Sequence, residues 1–272
     1  MICNIKYALL IATTVFCSAV FAQEETKPEP SAEDLAKKLA NPLASLISVP
    51  LQNNTDYGIG ADKGVKNTLN FQPVVPFQLS PKLNLITRYV LPIVTQYNIY
   101  EQGVSQSGLS DATMSAFFSP VGSKIIWGAG PAFLIPIATN DLLGTKKFCV
   151  GPTALAAKQT ASGWTYGALF NQLWSVAGDK NRADVSQLFF QPFVVHNWKS
   201  GAGIAGSFEF TQNWNADKDA LSGTFIPYVS AVTRLGKQAV SIVVGPRIPL
   251  AGSEQGKADW GWRASLTFVI PK

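Results

Sequence analysis

Of the 272 residues 47% are hydrophobic and only 14% charged, against about 25% charged in soluble domains, so water is a poor match for much of this surface. Twenty-two Lys and Arg against 17 Asp and Glu leave a net charge of +5; that is mild, and without a Lys/Arg block it excludes a nucleic-acid-binding arm. One histidine, His196, and one cysteine, Cys149, outside the first 22 residues exclude a zinc centre in practice.

Residues 1–22 have the form of a secretory signal peptide. Lys6 is the positive n-region, Ala8 to Phe16 the apolar h-region, and Val20-Phe21-Ala22 the cleavage site. The apolar run falls short of the roughly 20 residues a bilayer-spanning helix needs, and Phe16 before Cys17 argues against a lipid-modified cysteine. Removal of the peptide takes Cys3, Cys17 and the charge of Lys6, so the net charge drops from +5 to +4 and Cys149 remains. A mature chain with one cysteine has no internal disulfide. QEETKPEPSAEDLAKKLAN (23–41) is charged and Pro-containing, then helix-like at Leu35, Ala36, Leu39 and Ala40. Residues 23–43 are expected as a periplasmic leader with a short helix, at the end of the fold or tucked into it, where 31–44 would form a plug. A partly ordered tail is the alternative.

From residue 44 to 272 the period is two. Leu69, Phe71, Val75, Phe77 and Leu79 alternate with Asn70, Gln72 and Gln78, and after the turn Ser80-Pro81-Lys82 the alternation resumes at Leu83. Twelve strands are expected, near 45–55, 68–79, 83–96, 109–119, 124–138, 147–158, 163–176, 184–197, 202–214, 223–235, 238–250 and 260–270. Short turns such as TAS (160–162) and LGK (235–237) alternate with longer polar loops such as TNDLLGTKK (139–147) and AGSEQGKAD (251–259). Short turns at one end, loops at the other and both termini on the short side predict a transmembrane antiparallel up-and-down β-barrel. A soluble sandwich or lipocalin-like barrel also alternates, but has no need of twelve long strands with so little charge outside the loops.

WGAGPAFLIPIATN (127–140) illustrates the environment. Trp127, Ala129, Phe133, Ile135 and Ile137 are expected to face lipid, with Gly128, Gly130, Ala132 and Leu134 inward. Pro73, Pro76, Pro92, Pro131, Pro136, Pro192 and Pro227 fall inside expected strands, where each removes a ladder donor; bulges or strand ends are the expected accommodation. The seven tryptophans fall near strand ends, as interface girdles do.

Several segments resemble the MetA-pathway phenol-degradation or transporter family of bacterial outer-membrane proteins, some of them labelled neuromedin U. They are Asn41-Pro42 with LISVPLQNN (46–54), NFQPVVPFQL (70–79), LITRYVLPIV (85–94), DATMSAFFSP (111–120), WGAGPAFLIPIAT (127–139), VGPTALA (150–156), FFQPFVVHNW (189–198) and TFVIPK (267–272). The resemblance implies an outer-membrane barrel with a transport role and aromatic or partly hydrophobic solutes. It carries no catalytic motif.

GAGIAG (201–206) matches G-x-G-x-x-G, but SFEFT follows it where a dinucleotide site needs a helix; a turn and strand start are expected. His196 raises a lipid hydrolase using Ser, His and Asn, yet no serine is tied to it by a motif, so a polar residue at the membrane rim is expected. Arg88, Arg234, Arg247 and Arg263 each count to the side opposite the apolar residues of their strand, and Glu209 counts inward between Ser207 and Thr211. A charge at the lipid midplane costs about 2 to 4 kcal/mol, which favours the lumen. These five residues are the expected lumen or ligand-binding set: either a cationic wall for anionic solutes or a salt-bridge network filling a narrow barrel. Asp56, Asp62, Asp141 and Asp217 are expected in loops, open to a cation or a cell-surface partner but without ligand geometry. The expected function is a channel or transporter for small, aromatic or hydrophobic anionic solutes, needing no cofactor, with outer-membrane lipids and lipopolysaccharide as its surroundings. A structural or adhesive closed barrel is the alternative.

Overall fold

The computed structural model describes residues 31–270; the expected signal peptide and the leader up to residue 30 lie outside them. One helix, α1 (Ala32–Leu39), precedes β1 (Ile47–Ile59), β2 (Gly64–Phe71), β3 (Val74–Ser80), β4 (Leu83–Tyr97), β5 (Ser105–Leu109), β6 (Ala112–Pro120), β7 (Ile126–Ile135), β8 (Lys147–Gln159), β9 (Trp164–Gly178), β10 (Ser186–Asn197), β11 (Ala202–Asn213), β12 (Leu221–Leu235), β13 (Gln238–Ala251) and β14 (Trp260–Ile270). Every pairing is antiparallel, and β14 pairs with β1 from Ile47↔Ile270 to Tyr57↔Trp260, which closes the sheet on itself.

Fourteen segments make twelve staves. β2 and β3 form one stave broken at Gln72-Pro73, because Phe71↔Leu91 and Val74↔Arg88 hold the same register against β4. β5 and β6 form another, both against β4, with a one-residue slip at Ser110-Asp111. The first loop is far shorter than expected. β1 and β2 run on to Ile59 and Gly64, so only residues 60–63 turn the chain.

The prolines are accommodated mostly without bulges. Pro131, Pro152, Pro192, Pro227 and Pro246 each pair with a neighbouring stave on one edge, while the ladder lapses on the other and resumes in the same register. A proline lacks one donor, so one edge is what it loses. Pro73 stands in the β2–β3 break and Pro136 just past β7.

Alternation sorts the side chains. Exposed apolar residues such as Phe170, Val194, Ile204, Val229, Ile242 and Val244 all lie outward. Trp127, Trp164 and Trp198 ring the outer face near the short turns, with Trp174, Trp214, Trp260 and Trp262 near the long loops. Trp260 stacks on Tyr57 at 4.7 Å between ring centroids.

The inner face is filled at the short-turn end by the N-terminal segment. Glu33 and Asp34 in the first turn of α1 and Lys37 and Lys38 in the last suit its dipole. Leu35 and Leu46 are buried against Ala239 and Val269, and Leu43 against Ile86, Phe117, Leu155 and Leu169. The main chain is tied down as well: Gln159 Nε2 donates to Lys37 O at 2.7 Å and Asn197 Nδ2 to Ala36 O at 3.3 Å. Inward glycines leave room, since a Cβ on Gly128 would stand 3.0 Å from Leu43 Cδ1. Leu43→Asp places a carboxylate in this apolar cluster and is expected to release the segment. Trypsin cleavage at Lys37 and Lys38 of the refolded protein should then accelerate severalfold, with the barrel itself still resistant.

Candidate functional site

Two chambers lie in series along the lumen. The lower one, about 310 Å³, is bounded by residues 38–46 of the N-terminal segment and by inward side chains of the barrel, among them Arg88, Phe117, Leu169, Gln191, Tyr228 and Arg263. The upper one, about 460 Å³, opens towards the loops and is more polar than the lower; Asn54, Asp56, Lys66, Thr224 and Arg247 line it, with Ile59 and Pro249.

Between them runs a belt of charge. Glu209 on β11 takes Arg263 Nη2 on Oε1 at 2.9 Å and Arg247 Nη1 on Oε2 at 3.3 Å. Arg247 turns its other edge to Asp56 on β1, Nε to Oδ1 at 2.8 Å and Nη2 to Oδ2 at 3.4 Å. Arg263 Nε donates to Asn54 Oδ1 at 2.7 Å, and Gln191 Nε2 to Glu209 Oε1 at 3.4 Å. The arginine side chains are only 12% (Arg247) and 7% (Arg263) exposed. Removed from bulk water, such groups are stable only when paired and hydrogen-bonded. The staves make room for this. Arg263 lies opposite Gly245 and Arg247 opposite Gly261, and a Cβ on Gly261 would meet the Asp56 carboxylate and, at 2.6 Å, Thr55 O.

Arg88 comes into the lower chamber from β4, and its Nη2 donates to Gln72 Oε1 at 3.0 Å. Lys66 on β2 enters the upper chamber. Among the described residues neither has a carboxylate within the 4.0 Å of a salt bridge.

Four of the five expected lumen residues thus occupy the lumen: Arg88, Glu209, Arg247 and Arg263. Arg234 does not join them. It shares their side but stands exposed beside the turn after β12, ten residues beyond Thr224, the partner of Glu209, or about 33 Å along the strand. Period-two counting fixes the side of a residue and not its height. Asp56 corrects the expectation of a loop residue, since it lies within β1 as the partner of Arg247. Lys66, Asn54 and Gln72 were not among the expected lumen residues, although they continue the inward parity of Gln52 and Asn70. Asp141 is in a loop, where its hydrogen bond and ion pair with Lys146 at 2.7 Å hold its carboxyl below the usual carboxylate range.

His196 lies on the outer face, its ring 4.6 Å from that of Trp164 and 5.1 Å from that of Trp198. Its Nδ1 is buried without a hydrogen-bond partner among the described residues. GAGIAG forms the turn into β11, with Gly201 at φ 83°, and the strand continues through Asn213.

Glu209→Gln removes the anion shared by two buried guanidiniums. It is expected to cost about 3 to 5 kcal/mol in urea unfolding of the refolded protein. Lys146→Ala, which breaks an exposed pair, should stay within about 1 kcal/mol.

No family model matches the chain, and no curated protein matches it by sequence. Among solved structures it is similar to an outer membrane channel from Pseudomonas putida F1, with a TM-score of 0.65 and 17% identity over 83% of this chain and 94% of that one. The beta domain of the Bordetella autotransporter BrkA matches at a TM-score of 0.46 and 8% identity, over 83% of this chain and 100% of that one. Neither speaks to phenol degradation. The chain has the fold of an outer-membrane β-barrel, and the first of these likenesses is to a channel.

Proposed function

We propose that this chain spans the bacterial outer membrane as a channel for small anionic solutes with an aromatic or otherwise apolar part. Its apolar outer band and two tryptophan girdles suit lipid on one side and lipopolysaccharide at the upper rim. The likeness to an outer membrane channel supports the same reading.

The observation that carries the preference for anions is the charge balance of the lumen. Lys257 and Asp219 add one group of each sign at the loop end and Lys38 a positive group at the other, while on the strands that line the two chambers Lys66, Arg88, Arg247 and Arg263 face Asp56 and Glu209, four positive groups against two negative. The surplus falls on Arg88 and Lys66, the two without a salt-bridge carboxylate. In a narrow lumen with low-dielectric walls the field of such a surplus is focused on the solute path.

Single-channel recording across a KCl gradient tests this. The wild type is expected to show a reversal potential of anionic sign, and Lys66→Gln/Arg88→Gln, which leaves the Asp56–Arg247–Glu209–Arg263 chain intact, should move it towards the unselective value. A cation preference in the wild type would contradict the reading. A second reading, a closed structural or adhesive barrel, is favoured by the N-terminal segment seated in the short-turn mouth; it predicts no conductance at all.

Membrane insertion gives a separate expectation. Val229→Arg, on the outer face near mid-strand, should cost about 2 to 4 kcal/mol in lipid, whereas Ser222→Lys, on the upper-chamber wall, should cost little.

A further inference from the structure

The lower chamber is two-faced, which a plain aqueous pore is not. Phe117 on β6, Leu155 on β8, Leu169 on β9 and Phe193 on β10 form one wall; Tyr228 on β12 and Arg263 on β14 stand across from it, and Arg88 stands at its edge on β4, the stave next to β6. Leu39 and Pro42 of the N-terminal segment close it from below. At about 310 Å³ it lies at the small end of ligand pockets.

Arg263 is engaged by Glu209 and Asn54, but among the described residues Arg88 has one of its five N–H donors on Gln72 and no partner on the rest. A guanidinium takes a carboxylate in a two-pronged hydrogen-bonded pair. A second negative charge would be unwelcome, because the Glu209 carboxylate stands at the top of this chamber beside Arg263 and Gln191.

We propose that the lower chamber is a binding site for one small monocarboxylate with an apolar body about the size of a phenyl ring. Arg88 holds the carboxylate, and the Phe117–Leu169–Phe193 wall holds the body. The site deepens the proposed anion path and rests on the lumen being reached by solute, but not on its conducting. It is a place where a solute stops, closed on the periplasmic side until the N-terminal segment moves.

The test is calorimetric titration of the full chain, refolded in detergent, with 3-phenylpropanoate, 3-phenylpropanamide and acetate. The acid is expected to bind at one site per chain, with the neutral amide and the bodiless acetate each weaker by about tenfold or more. Arg88→Gln should weaken the acid by a similar factor, Arg88→Lys should restore part of it, and the loop variant Lys146→Ala should bind as the wild type does. Equal binding of acid and amide, equal binding of acid and acetate, or an Arg88→Gln variant that binds like the wild type would overturn the proposal. The comparison of the three probes on the wild type decides the matter even if the Arg88 variants fail to fold. Saturable binding without conductance would sink the channel reading and leave this site standing; conductance without saturable binding would do the reverse.

Discussion

The hydrogen-bonded seam between β1 and β14 is the feature on which the rest of the molecule depends. Without it two strand edges would be left with unpaired N–H and C=O groups, which hydrocarbon cannot solvate. With it, every stave has two neighbours, and each side chain must choose between an outer and an inner face. The prolines show how closely this constraint is met. Each mid-strand proline described above keeps one edge paired and gives up the other, so the ladder lapses without losing register and the alternation of faces survives.

Charge follows from the same choice. An arginine in these strands has the lumen as its affordable side, but a twelve-stranded lumen is narrow and partly filled by α1 and the residues after it. Guanidiniums placed there need carboxylates nearby. Glu209 and Asp56 supply two, joining β11, β13, β14 and β1 through Arg247 and Arg263. This chain of ion pairs separates the polar upper chamber from the two-faced lower one. Of the residues expected as a cationic wall or a salt-bridge network, Arg247 and Arg263 are bound up in ion pairs, and the proposed preference for anions rests on Arg88 together with Lys66.

Much of the barrel was legible in the sequence because period-two alternation is a direct record of two solvents. The residues of 127–135 expected to face lipid and lumen take those sides in β7, while Ile137 lies past its end, and the tryptophans mark both rims. Heights and lengths were less legible. DYGIGADKGVKN reads as a loop from its glycines and charges, yet its outer parts are strand, and Asp56 and Lys66 enter the lumen from it. Arg234 counts to the correct side but sits at the rim. The pairing of Glu209 with two arginines more than thirty residues away depends on register across three staves, which no local pattern encodes. Leu43, four residues before the first strand, carries no signal that it would pack against Phe117 and Leu155 inside the barrel.

The central claim is that hydrocarbon, not water, touches the outer face of this cylinder. Sedimentation of the purified mature chain with and without detergent tests it most directly. The account predicts a folded species with detergent whose mobility in gel electrophoresis shifts on boiling, and aggregation without it. A folded, monodisperse monomer in plain buffer would contradict the account.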